Sequence, residues 1–163
     1  MKIGIISDTH NSLDVTRRAL EVLRDRGIRY LVHAGDITSP KMLSLFRDFE
    51  CRFVLGNGDI DEEDLNLESE RLGFGCIADR CTIEIDNKKI LLFHGNNVPL
   101  FREAVSSGEY DYIIKGHTHM FEDYTSNRTH IINPGSLYGA EEFSIAILDT
   151  ESDRVEMIRI DQD

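Results

Sequence analysis

Apolar residues follow two rhythms along this chain. Short runs rich in Ile, Leu and Val alternate with stretches whose apolar positions recur every third or fourth residue. "KIGIIS" (2–7) reads as a buried strand. Residues 12–26 set Leu13, Ala19, Leu20 and Leu23 on one helix face and stop at Gly27. "YLVHAG" (30–35) is a second strand. Ser39-Pro40 then reads as a helix start, Ser at the N-cap and Pro at the first helical position. That helix is predicted to run to about Phe49 through Met42, Leu43, Leu45 and Phe46. "RFVLG" (52–56) is the third strand, and residues 61–73 form an acidic loop with a short helix. "CTIEI" and "KILLFHG" flank Asp86-Asn87 as a tight β-hairpin. A helix over 98–107 ends at Gly108, and "YDYIIKG" (110–116) is again a buried strand. Beyond it, "FEDYTS", "THIINPGS", "FSIAILDT" and "RVEMIRI" are strands joined by turns. Strand–helix alternation followed by a run of strands implies a mixed-sheet α/β sandwich with helices outside.

Composition narrows the classes. The 163 residues suit one domain (1–163), with no repeat, low-complexity tract or linker to divide it. No apolar stretch approaches the ~18 residues of a membrane span. The opening turns polar at Asp8 too soon for a signal peptide, so a cytoplasmic protein without membrane attachment is expected. Thirty acidic residues against 18 basic ones give a net charge of −12, which argues against a partner of long nucleic acid. A small anionic substrate stays feasible if metal ions supply positive charge locally. Cys51, Cys76 and Cys81 form no CxxC pair and read as semi-buried thiols in a reducing compartment.

Side chains capable of binding metal fall at strand ends. Asp8 and His10 follow the first strand, Asp36 the second, Asn57 the third; His94 closes "KILLF", and His117 and His119 follow "YIIKG". Carboxyl ends of parallel strands line one crevice in open α/β sheets, so these seven residues should meet although they span more than a hundred positions. His117 and His119, at i and i+2, can both face a site only in a bent loop, and the preceding Gly116 is read as permitting the bend. His33 and His130, inside apolar runs, read as structural. Carboxylate, imidazole and amide oxygen suit Mn²⁺, Fe or Zn²⁺. Seven ligands exceed the needs of one ion and suit two that share a carboxylate. Two divalent ions, Asp8, Asp36 and one hydroxide would leave a net positive charge to attract a phosphate ester.

Asp8-x-His10, Gly35-Asp36, Gly56-Asn57-x-Asp59, His94-Gly95 and Gly116-His117-x-His119 occur in that order. Together they resemble the signature blocks of the calcineurin-like metallophosphoesterase superfamily. The short length, "GHTH" and "INPGS" (132–136) are similar to a compact bacterial and archaeal phosphodiesterase branch, which also contains the retromer scaffold subunit. The resemblance implies a four-layer α/β/β/α sandwich with two mixed sheets. It implies that Asp8, His10, Asp36 and His119 hold one metal ion, and Asp36, Asn57, His94 and His117 a second, with Asp36 bridging. Mn²⁺ is the usual metal of the branch, with Ni²⁺, Co²⁺, Fe or Zn²⁺ as alternatives. The activity implied is hydrolysis of a small phosphodiester by in-line attack of a metal-bridging hydroxide, with Asp36, Asn57 and Asp59 as catalytic candidates. Asn133–Ser136 reads first as a Pro-Gly turn and otherwise as part of the rim.

One position departs from the family pattern. Many members read Gly-Asn-His-Asp in the third block, where the His is thought to protonate the leaving oxygen; here that position is Gly58. Asp59 then has no imidazole to orient, and Gly58 is expected to widen the cleft. Asn96 likewise stands where relatives often carry a second His. The alternative reading is a catalytically silent, retromer-subunit-like scaffold, against which all seven ligands are retained. A repair-type nuclease would need a basic channel. Selectivity is expected from residues 60–73, from Asn96–Phe101 and from the rim near Tyr138. A homodimer or higher homo-oligomer stays open, because no sequence feature marks an interface.

Overall fold

Alternation inside the first strand, β1 (Lys2–Ile6), decides how the layers stack. Ile3 and Ile5 enter one apolar cluster and Ile6 another, and all three are fully buried. A strand buried on both faces needs a layer on each. In the computed structural model, which describes residues 1–161, those layers are a helical one outside and a second sheet inside.

After β1 come α1 (Leu13–Asp25), β2 (Tyr30–His33), α2 (Pro40–Leu43), β3 (Glu50–Phe53) and α3 (Glu62–Leu72). The hairpin β4 (Arg80–Ile85) and β5 (Lys88–Phe93), α4 (Val98–Ser107) and β6 (Tyr112–Ile114) follow. The chain finishes with β7 (Phe121–Ser126), β8 (Thr129–Pro134), β9 (Phe143–Asp149) and β10 (Arg154–Ile160). One sheet has the order β10-β9-β1-β2-β3 and the other β4-β5-β6-β8-β7. Both are mixed: β1, β2 and β3 run parallel, as do β5, β6 and β8, while the remaining neighbours pair antiparallel. The α/β/β/α sandwich is the one expected.

Three apolar clusters fill the gaps between layers. Ala19, Leu20 and Leu23 of α1 pack with Met42, Phe46 and Leu65 against the first sheet. Ile3, Ile5, Val32 and Leu148 meet Ile90, Leu92, Tyr112 and Ile114 between the sheets. On the far side Leu91, Phe93 and Ile113 cover Ala104 of α4. Among the described residues no helix is long and apolar enough to cross a membrane.

Several boundaries differ from expectation. The helix starting at Pro40 ends at Leu43 and continues only as a 3₁₀ turn, Ser44–Phe46. There the Ser44 hydroxyl bonds back to the Lys41 carbonyl (2.8 Å), and β3 already starts at Glu50. The acidic segment is more regular than expected: α3 is an 11-residue helix closed by Gly73 in the left-handed conformation (φ 83°). Asp86 (φ 51°) and Asn87 (φ 60°) both take positive φ, as the tightest hairpin turns require. Of the thiols, Cys51 is buried, Cys81 half-buried and Cys76 exposed, so the semi-buried reading fails for Cys76.

Candidate metal centre

The carboxyl ends of β1, β2, β3, β5 and β6 converge on one crevice. It lies across the seam between the two sheets, not within a single open sheet. Asp8, His10, Asp36 and Asn57 come from the first sheet, and His94, His117 and His119 from the second.

Asp8 and Asp36 are the buried centre. Asp8 Oδ2 accepts bonds from the Ser7 hydroxyl (2.6 Å) and the His117 N–H (3.1 Å). Its other oxygen, Oδ1, has no hydrogen-bond partner and lies 3.2 Å from His119 Nε2. Asp36 Oδ1 accepts the Gly58 N–H (2.6 Å), and Oδ2 lies 3.2 Å from His10 Nε2 and 3.4 Å from His94 Nε2. Two sets therefore have their ligand atoms within 4.8 Å of one another: Asp8 with His10 and His119, and Asp8 with Asp36 and His94. Asp8 Oδ1, His10 Nε2 and His94 Nε2 are buried and lack a hydrogen-bond partner. Such atoms are costly unless something polar satisfies them, and divalent cations fit this donor set.

Asn57 and His117 stand at the rim. Both are exposed, and the His117 ring packs edge-on against His94 with centroids 5.1 Å apart. His117 belongs to neither of the two compact sets.

Electrostatics within the cluster is reciprocal. Burial opposes charge on Asp36, yet His10, His94 and the Gly58 N–H together hold its carboxyl well below the usual range. Asp36 in turn raises the pKa of His10. At His94 burial works against the imidazolium, but Asp36 and the Ala34 carbonyl outweigh it and the pKa is raised. The His94 Nδ1–H donates to that carbonyl (2.8 Å), which turns Nε2 toward the carboxylates. Cation binding must displace protons from these imidazoles, so affinity rises with pH.

The backbone contributes strain. Asp8 (φ 52°), His10 (39°), Asp36 (58°), His117 (71°) and His119 (59°) all adopt the left-handed conformation. Each costs roughly 1–2 kcal/mol in a non-glycine residue. This corrects the role given to Gly116, whose φ is not positive. The histidines make the bend themselves. Gly116 is needed because a Cβ there would lie 2.5 Å from Asp8 Oδ2 and overlap Ser7 Oγ.

Gly58 is likewise a matter of approach. A Cβ there would lie 3.0 Å from Asp36 Oδ1 and 3.1 Å from its Cγ, so glycine brings the two loops together more than it widens the cleft. Asp59 is buried, and its carboxylate accepts N–H bonds from Asp36 (3.0 Å), Gly56 (2.8 Å) and Thr38 (2.6 Å). Burial raises its pKa against the pull of the Thr38 and Gly56 N–H groups. It ties the Asp36 loop to the Asn57 loop.

The segment first read as a Pro-Gly turn braces the centre. Asn133 Nδ2 donates to the Gly116 carbonyl (2.9 Å) and lies 3.0 Å from Thr118 Oγ1, holding the loop that carries His117 and His119. The Leu137 N–H donates to the Asp8 carbonyl (3.3 Å), with the Ser136 hydroxyl 3.1 Å from the same oxygen. The Tyr138 ring lies against His10 at 4.7 Å. "INPGS" held the signal, but only the fold shows what it touches.

The structural reading of His33 is borne out. Its Nδ1 accepts the Gly35 N–H (3.2 Å), so the neutral ring donates from Nε2 to Thr9 Oγ1 (3.1 Å). Complete burial lowers its pKa from 6.5 to about 3. The unfolded chain thus takes up this proton first, and stability is lost as pH falls from about 6.5 toward 3. By pH 5 this group alone should remove about 2 kcal/mol. Urea unfolding at pH 7 and pH 5 measures it, and His33→Gln should lose less between the two; equal losses would refute the assignment. His130 pairs with Asp123 and is also structural.

Two buried carboxylates ringed by imidazoles at the ends of parallel strands define the class. The chain belongs to the calcineurin-like phosphoesterase superfamily, whose domain model matches residues 1–153. It is 34% identical over 164 residues to a phosphodiesterase of Methanocaldococcus jannaschii, a match covering 93% of this chain and 94% of that protein. The solved structure of a novel archaeal phosphodiesterase matches at 32% identity with a TM-score of 0.89, over 98% of this chain and 99% of that one. Zinc-bound Vps29 from Entamoeba histolytica shares the fold, with a TM-score of 0.69 and 21% identity over 99% of each chain.

Proposed function

We propose that this chain is a phosphodiesterase dependent on two divalent metal ions, Mn²⁺ being the first choice. The observation that carries the reading is the convergence of Asp8 Oδ1, His10 Nε2 and His94 Nε2, buried and unpartnered, around Asp36. Asp8, His10, Asp36 and His119 would hold one ion, and Asp36, Asn57, His94 and His117 the other. Such ions supply Lewis acidity toward the phosphoryl oxygens and lower the pKa of bound water.

The protein's own groups fix geometry. Asp36 faces His10 of one set and His94 of the other, while Asp59 binds the backbone of the loops on either side. No imidazole occupies position 58. His117 stands exposed at the mouth and, as a ligand of the second ion, is not free to act as the proton donor. The leaving oxygen therefore departs as an anion or takes its proton from water. Loss of a general acid costs about 10²–10⁴-fold when the leaving group is poor. Metal-loaded protein should accordingly cleave aryl phosphodiesters faster than alkyl monoesters by a factor in that range. Parallel kcat/KM measurements test this, and fastest turnover of a simple alkyl monoester would defeat the assignment.

A further inference from the structure

One cavity borders His119 and another borders Asn57, and their linings differ. On the His119 flank a cleft of about 550 Å³ has Met120, Phe121, Ala140 and Met157 as its apolar wall, with Glu141 and Glu142 also in its lining. On the Asn57 flank a smaller cavity of about 280 Å³ is lined by Asn57, Asn96, Asn97, Glu62 and Asp79, together with the apolar Leu55, Phe93 and Leu100. Phosphorus held between the ligand sets would send one ester substituent each way. Neither lining contains a lysine or arginine.

We propose that the site takes an unsymmetrical phosphodiester. One ester group, aryl or alkyl, lies in the Met120–Phe121 cleft. The other, compact and hydrogen-bonding in the manner of a polyol or amino alcohol, lies beside Asn57 and Asn96. The substrate carries no further anionic group.

Three observations support this. Both cavities are continuous with candidate ligands, His119 in one and Asn57 in the other, so an occupant of either remains attached to the reacting phosphorus. Met120 is 64% exposed immediately beside His119, an apolar surface that a substituent would cover. The smaller cavity adds three amides, Asn57, Asn96 and Asn97, which favour hydroxyl and ammonium donors, and each lining carries two carboxylates, which repel a second phosphate. Of the acids beside the larger cleft, Glu142 is paired with Arg159 (3.1 Å).

The inference rests on the phosphodiesterase reading, and the test separates the two. Manganese-loaded protein is assayed with p-nitrophenyl diesters whose second ester is ethyl, glyceryl or phosphoglyceryl. The glyceryl ester should exceed the phosphoglyceryl ester in kcat/KM by about tenfold or more, mostly through KM, because like charges oppose binding of the second phosphate. Glu62→Lys, on the exposed start of α3, should narrow that gap. Met120→Glu should raise KM for all three several-fold and leave their ratios unchanged; melting curves show that both variants fold. Equal kcat/KM for the glyceryl and phosphoglyceryl esters, with turnover intact, overturns the inference and leaves phosphodiester hydrolysis standing. If these esters and bis(p-nitrophenyl) phosphate are all inert with every metal tried, both readings fall.

Discussion

Asp36→Asn is expected to remove most of the activity, lowering kcat/KM on an aryl diester by about 10²–10³-fold or more, the scale of losing one preorganised electrostatic group. The substitution keeps the shape and deletes the charge that His10 and His94 face at 3.2 and 3.4 Å. It also forces a choice. If the amide oxygen accepts the Gly58 N–H, the NH₂ group points at the imidazole nitrogens that should be free to bind a cation. Metal content should fall together with activity, measured by elemental analysis after dialysis. Asp59→Asn provides the contrast, because its carboxylate serves three backbone N–H groups and an amide cannot serve them all. Its cost should appear first in stability, about 1–3 kcal/mol for the unsatisfied group. If Asp36→Asn kept full metal content and wild-type kcat/KM, the central place given to Asp36 would be lost.

Gly116→Ala is the second large effect expected, and it replaces no ligand residue. The added methyl would sit 2.5 Å from Asp8 Oδ2 and overlap Ser7 Oγ, so strand ends from the two sheets must separate. Overpacking of this kind costs about 1–3 kcal/mol, or roughly 3–10 °C in melting midpoint for a chain of this size. Displacing Asp8 by ~1 Å adds about a 10²-fold loss of turnover. Thermal denaturation and kcat/KM on one preparation give both numbers. An alanine variant that melts within a degree of the parent with normal activity would show that the close approach is unimportant.

Much of the fold was legible because its signals are local. The face made by Ala19, Leu20 and Leu23 gave α1, and Asp86-Asn87 marked the hairpin turn. The helix from Pro40 was extended too far because Leu45 and Phe46 keep a helical spacing; the early start of β3 leaves no room for it. At the site, the seven candidates could be named from residue type at strand ends, and the structure places five of them, Asp8, His10, Asp36, His94 and His119, in compact sets. What stayed hidden is long-range. No local pattern says that Gly116 is small for the sake of Ser7, or that Asp59 serves the backbone of Thr38. The left-handed backbone at Asp8, His10, Asp36, His117 and His119 was equally unreadable. Asp and His are only moderately tolerant of that conformation, and the surrounding bonds impose it.

The clasp on the Asp8 carbonyl also bears on biosynthesis. Ser136 lies 128 positions after Asp8, which at typical translation speeds is on the order of 10 s of elongation. During that interval the nascent chain already displays Asp8, His10 and Asp36 but has neither the Ser136–Leu137 clasp nor β9, the antiparallel neighbour of β1. The centre therefore matures only once the later strands have left the ribosome. Until then its ligands belong to a half-built sheet that cannot impose their final geometry.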